Sequence, residues 1–215
     1  MDWLALIAGG WAGSRTPEWA GRWFLKSGVG CRGASVYRWL VAGYAGAGFF
    51  LVTTSPFTGA ERVLGYLLTL FLGGAAFLDL SCRRIPNRLN VTAAVLFLVF
   101  RAATVGEWLS FPVAALAGGI FLLAVSRIFR GGVGGGDIKL VAASGLALGG
   151  AGLTAGLAVA FCTGGLWALF LLFSGRARGR TPLPFAPHLA IGLLSGYLWG
   201  REWVVWYFSL LGVRV

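Results

Sequence analysis

Two aspartates are the residues of this chain best suited to chemistry: Asp79 in FLDLSCRRIPNRLN and Asp137 in RGGVGGGDIKL. Each lies at the edge of a long apolar stretch. An ionisable side chain at membrane depth is expensive to keep and points to function. The plainer alternative is a boundary aspartate paired with a nearby cation: Arg83 and Arg84 stand close to Asp79, and Lys139 to Asp137. Two carboxylates sharing a site can hydrolyse a peptide without a metal. One, ionised, takes a proton from water as the water attacks the scissile carbonyl. The other, protonated, donates to the carbonyl oxygen. Like charges this close cannot both form cheaply, so the pair shares a proton and titrates as a unit.

Other chemistries lack parts. The one histidine, His188, has no set of partners for a nucleophilic triad or a zinc site, and reads as a satisfied boundary residue. The run GGVGGGD has the glycine content of a phosphate loop but not its GK[ST] ending, so nucleotide binding is not expected. Glycines at 134 and 136 have a simpler use. Without a Cβ the backbone can turn sharply and let an extended substrate approach. The three cysteines are odd in number and never spaced as CxxC, which indicates neither a disulfide framework nor structural zinc. No cofactor or metal is expected.

The elements that carry these residues are apolar. Of 215 residues, 58% are hydrophobic and 12% charged, against about 25% charged in a soluble domain. A soluble protein of this size has too little interior to hide such a surface. The pattern predicts an all-α, polytopic membrane helix bundle. A spanning helix takes about 20 apolar residues, and six segments qualify, at roughly 37–54, 63–80, 89–105, 111–129, 152–173 and 186–200. A shorter segment, 138–149, follows the glycine run. A weaker one, 2–13, is a half-span or an interfacial piece. The expectation is therefore about 7–8 transmembrane helices, with residues 1–58 as N-terminal membrane segments around a short basic loop and 59–215 as the core. The stretch from Arg201 to Val215 reads as amphipathic or loosely embedded.

Charge orients the bundle. With the gap at 81–88 placed in the cytosol and sides alternating from there, 14 of the 18 basic residues fall on the cytosolic side, as the positive-inside rule requires. The net charge of +11 is accounted for by these loops, and nucleic-acid binding is not expected. Two crossings separate Asp79 from Asp137, so both lie at the cytosolic boundary.

These residues resemble the GxGD family of membrane aspartyl peptidases, specifically the prepilin leader peptidases. Gly134–Gly135–Gly136–Asp137 matches the signature and Ile138–Lys139–Leu140 continues it. Asp79 followed by Ile85–Pro86–Asn87 resembles the family's first aspartate and its proline. Leu183–Pro184–Phe185–Ala186–Pro187 looks like the entry to its last helix. The resemblance covers roughly 60–200. It implies a six-helix peptidase core in the bacterial plasma membrane, with Asp79 and Asp137 as the catalytic pair at the cytosolic side. It also implies prepilin or pseudopilin precursors as partners, cut just before their hydrophobic helix. Gly134 and Gly136 would shape the site, and Lys139 would support it by pairing with a carboxylate or the backbone. Pro86 and Asn87 would end one helix and begin the next. Long members of the family carry a loop with two CxxC pairs and also N-methylate the new terminus. Here residues 14–36 hold only Cys31, so methyl transfer is not expected. Three alternatives stand beside this reading: a GxGD protease of the preflagellin or signal-peptide type, a transporter with a buried carboxylate pair, and a non-catalytic assembly protein.

Overall fold

A computed structural model describes residues 34–106, 108–129, 132–176 and 183–212. The segment 2–13 and most of the 14–36 loop, with Cys31, lie outside the described residues. Among those described there are six helices and no strand: α1 (Ala34–Thr54), α2 (Gly59–Cys82), α3 (Asn87–Thr104), α4 (Ser110–Ile128), α5 (Gly135–Phe173) and α6 (Ala186–Leu210). Three of them, α2, α4 and α5, are long and apolar enough to cross a membrane. The chain is a membrane helix bundle. Its interior is filled by Leu64, Leu68, Leu72, Phe97, Leu140, Leu189 and Leu193. Large apolar side chains such as Val91, Val95 and Val99 on α3 and Leu116 and Ile120 on α4 point outward, as lipid-facing surface does.

The long helix α5 is two arms. Gly149 has φ 70° and ψ −174°, a conformation open essentially to glycine alone. A Cβ on Gly145 would lie 3.1 Å from Leu153 Cδ2, whereas eight residues of straight helix separate their ends by about 12 Å. The chain therefore folds back at Gly149. The two arms are the short segment 138–149 and the longer 152–173 of the sequence pattern, now joined.

Small residues let backbones touch at both arms. A Cβ on Gly145 would lie 2.7 Å from Ala115 Cα of α4, and one on Gly156 would lie 2.9 Å from the Gly192 carbonyl oxygen of α6. Such seams are a usual means of helix association in lipid. The described part of residues 1–58 joins the same body. Val52 of α1 is in the core, and Tyr44 donates to the Ala190 carbonyl at 3.2 Å. Helix α6 runs on past Arg201 to Leu210, with no glycine or proline between Arg201 and Gly212. Cys82 is disulfide-bonded, a pairing that the odd cysteine count did not suggest. Cys162 carries a free thiol.

Breaking α5 at Gly149 frees carbonyls from the helix ladder. One of them, Ala147 O, is taken up by Arg101 of α3 through Nε at 3.1 Å and through Nη2. Arg101 is buried. Its Nη1 pairs with Glu61 of α2, and its Cζ stands 4.3 Å from the centre of the Phe111 ring. Tyr197 of α6 donates to the Glu61 carboxylate at 3.0 Å. Five helices meet in this one knot.

Candidate active site

Helix α2 stops one turn after Asp79. Arg83 adopts a left-handed conformation (φ 50°, ψ 33°), and its N–H donates to the Asp79 carbonyl at 2.9 Å. That closure is more often made by glycine. The chain then turns through Arg84 and Ile85 to Pro86, which caps α3, and Asn87 is the first residue of that helix. Proline suits this place because the first turn leaves its N–H positions unpaired in any case.

The turn brings Ile85 against the start of α5. A Cβ on Gly136 would lie 3.1 Å from Ile85 Cβ, so a residue with a side chain there would force the two segments apart. Gly134 is the extended N-cap of α5, and a Cβ on it would lie 3.2 Å from Asp137 Oδ2. Asp137 lies in the first helical turn. Its N–H donates to the Gly134 carbonyl at 3.1 Å. A carboxylate at a helix N-terminus meets the positive end of the dipole.

Asp79 is anchored from the opposite side. Its Oδ2 accepts the Ala186 N–H at 3.1 Å. The Leu183–Pro187 run therefore docks its backbone on the first aspartate, a role that the sequence pattern alone did not suggest. Asp79 is half-buried, and Asp137 is 7% exposed with Oδ1 lacking any hydrogen-bond partner. Each aspartate has the other's helix close by. Asp79 is the acidic neighbour whose charge reaches Asp137, and Arg83 is the cation nearest in effect to Asp79. Among the described residues neither aspartate forms an ion pair, so the plainer alternative of two salt-bridged boundary residues is not what the chain adopts.

Lys139 departs from the expected pairing. Its Nζ donates to Asn87 Oδ1 at 2.8 Å, joining α5 to α3 rather than reaching a carboxylate. It lies two residues past Asp137 and is exposed, on the part of α5 that meets Asn87 at the start of α3. Asn90 was not foreseen. It donates to the Gly136 carbonyl at 3.2 Å. A polar amide inside the apolar run 89–105 was the available signal. His188 is half-buried and has no hydrogen bond to either aspartate. No group of three or more His, Cys, Asp or Glu side chains converges among the described residues.

Comparison with known proteins identifies the family. Residues 66–169 match the type IV leader peptidase family, a span that includes Asp79, the Ile85–Asn87 turn, Asp137 and Lys139. A prepilin leader peptidase/N-methyltransferase of Bacillus subtilis (strain 168) is 35% identical over 173 residues, covering 74% of this chain and 68% of that protein. The chain belongs to the type IV leader peptidase family. Proteins of the same description from Aeromonas salmonicida (strain A449) and Aeromonas hydrophila are 29% and 30% identical. Each alignment covers 74% of this chain and 56% of the relative, so the chain spans little more than half the length of these two. No solved structure matches it. Membership makes the chain a peptidase, and the helical membrane body described above is the scaffold on which this family member works. The Leu183–Pro187 run lies beyond the matched span, yet it contacts Asp79 directly.

Proposed function

We propose that this family member removes the leader peptide from type IV prepilin-like precursors, with Asp79 and Asp137 as the catalytic pair, at the cytosolic face of the bacterial plasma membrane. The observation that carries this reading is the buried Asp137, with one carboxylate oxygen unpartnered and Asp79 as its acidic neighbour. An aspartate held only for packing or helix capping would have both oxygens matched.

The pair holds one proton. The ionised carboxylate takes a proton from water as the water oxygen bonds to the scissile carbonyl carbon. The protonated carboxyl gives its proton to the carbonyl oxygen. When the tetrahedral diol collapses, the carbon–nitrogen bond breaks, the departing amine takes up the proton gained in the first step, and one diol hydroxyl returns its proton to the second carboxylate as the new carbonyl forms, which restores the pair with one proton. The Ala186 N–H fixes Asp79, and the first turn of α5 carries Asp137 on a rigid element, so neither carboxyl has to be brought into place during the reaction. The short glycine stretch 134–136 leaves room beside Asp137 for an extended substrate backbone. The excess of arginine and lysine in the loops flanking both aspartates supports the cytosolic orientation, and the apolar outer faces of α3 and α4 support the bilayer as their surroundings.

The test is leader removal in membranes by Asp79→Asn and Asp137→Asn variants. Loss of processing with the protein still inserted supports the reading, and normal processing by either variant sinks it. Precursors of the preflagellin type, offered in parallel with pilin-type ones and mapped by mass spectrometry, decide the substrate class. The relatives named above are described as N-methyltransferases as well. We propose proteolysis without methyl transfer, and the mass of the new N-terminus, with or without one methyl group, reports on that directly.

A further inference from the structure

We infer that Asn90 is a positioning residue for Asp137. The inference rests on the two-aspartate reading and extends it to a residue outside the signature motifs. Asn90 lies in the first turn of α3 and is 3% exposed. Its Nδ2 donates at 3.2 Å to the carbonyl of Gly136, the peptide group that leads directly into Asp137. That carbonyl accepts only, so it fixes which end of the amide faces it. In a regular helix it already receives the N–H four residues on. The bond from Asn90 is therefore a tether between helices, beyond what the backbone of α5 requires.

The other end of the amide sharpens the argument. Asn90 Oδ1 is buried and has no hydrogen-bond partner within the protein. An apolar side chain of similar shape would fill the same space without an unmet carbonyl. An asparagine satisfied at one end only is kept for the end that is satisfied. Asn87, one turn earlier on the same helix, holds Lys139, three residues after Gly136. Two asparagines thus grip the first turn of α5 on either side of Asp137. Further along, Arg101 of α3 holds Ala147 of α5, at the same sequence offset of 46 as Asn90 and Gly136. Helix α3 and the first arm of α5 run side by side in fixed register, and α3 begins at the turn that leaves Asp79. Asn90 is the point where this splint reaches the peptide carrying the second carboxylate.

The experiment uses the full chain, purified in detergent, with a pilin-type precursor as substrate. Asn90→Leu keeps the volume and removes the donor. Asn90→Asp keeps the shape and presents an acceptor to the Gly136 carbonyl. Both are expected to lower kcat by about tenfold to a hundredfold with KM near that of the parent; the melting temperature stays near the parental value for Asn90→Leu, while Asn90→Asp lowers it by burying a carboxylate. A folded variant that keeps the parental kcat overturns the inference. So does a loss of melting temperature in both variants, which would make Asn90 a residue of stability alone. Asp137→Asn is measured in the same series. If it still processes the precursor, the two-aspartate reading has failed. If it is inactive while Asn90→Leu turns over normally, only the role of Asn90 falls.

Discussion

The two ends of α3 hold buried polar groups about 16 Å apart along the helix, and they are treated in opposite ways. At the far end, Arg101 spends its donors on Glu61 and the Ala147 carbonyl and stands over the Phe111 ring. At the near end, Asn90 Oδ1 and Asp137 Oδ1 are buried and unmatched. One site is closed by the protein itself. The other keeps buried acceptors without a partner among the described residues. Buried polar groups are normally satisfied, so the contrast marks which cluster is built for stability and which for work on a substrate.

The comparison can be broken most decisively at the carboxylates. Asp137→Asn or Asp79→Asn is expected to lower leader cleavage by about 10⁴-fold or more, the upper range for losing a general acid or base. The melting temperature in detergent should stay at or above the parental value, because no ion pair is lost. A stability loss comparable to that of Arg101→Met would erase the distinction between the two ends. Arg101→Met is expected to cost about 1–3 kcal/mol in a denaturant titration, since it leaves the Ala147 carbonyl at the helix break without its donor. Its activity per folded molecule should fall far less than that of the aspartate variants. Gly149→Ala tests the break that gives Arg101 its carbonyl. The backbone there belongs to glycine, and a Cβ would lie 3.2 Å from the Phe111 ring, so a loss of about 1–3 kcal/mol is expected in the same titration. The smallest effect belongs to Lys139→Met. Its bond to Asn87 is exposed, and stability should stay within about 0.5 kcal/mol, with at most a severalfold change in kcat measured on the precursor.

Much of this arrangement was legible in the sequence. The apolar run 63–80 lies inside α2, and all but the last residue of 111–129 lies inside α4. The family resemblance placed Pro86 between two helices, and it caps α3 after α2 has ended at Cys82. The short run after the glycines foretold a helix too brief to stand alone. Periodicity and composition are local signals, and these are local features. The knot at Arg101 was not legible. Arg101 and Glu61 appeared as two outer-side charges 40 residues apart, and nothing local says that such charges meet. Nor did the motif at 183–187 announce that one of its backbone N–H groups would serve Asp79, because backbone donors carry no residue signature. Asn90 was missed for a related reason. It sits in an apolar run as one polar letter, and its partner is a peptide carbonyl, not another side chain.

The fold-back at Gly149 also sets a depth. Residues 135–148 rise about 21 Å at the helical rise of 1.5 Å per residue, short of the about 30 Å of hydrocarbon in a typical bilayer. A short arm seated in a thick slab leaves its loaded end below the lipid headgroups unless the slab itself gives way, by thinning or by admitting water. On the proposed reading, the length of that arm is a ruler. It fixes how far below the cytosolic surface a precursor must present its scissile bond, and it makes the enzyme sensitive to the acyl-chain length of the lipids around it.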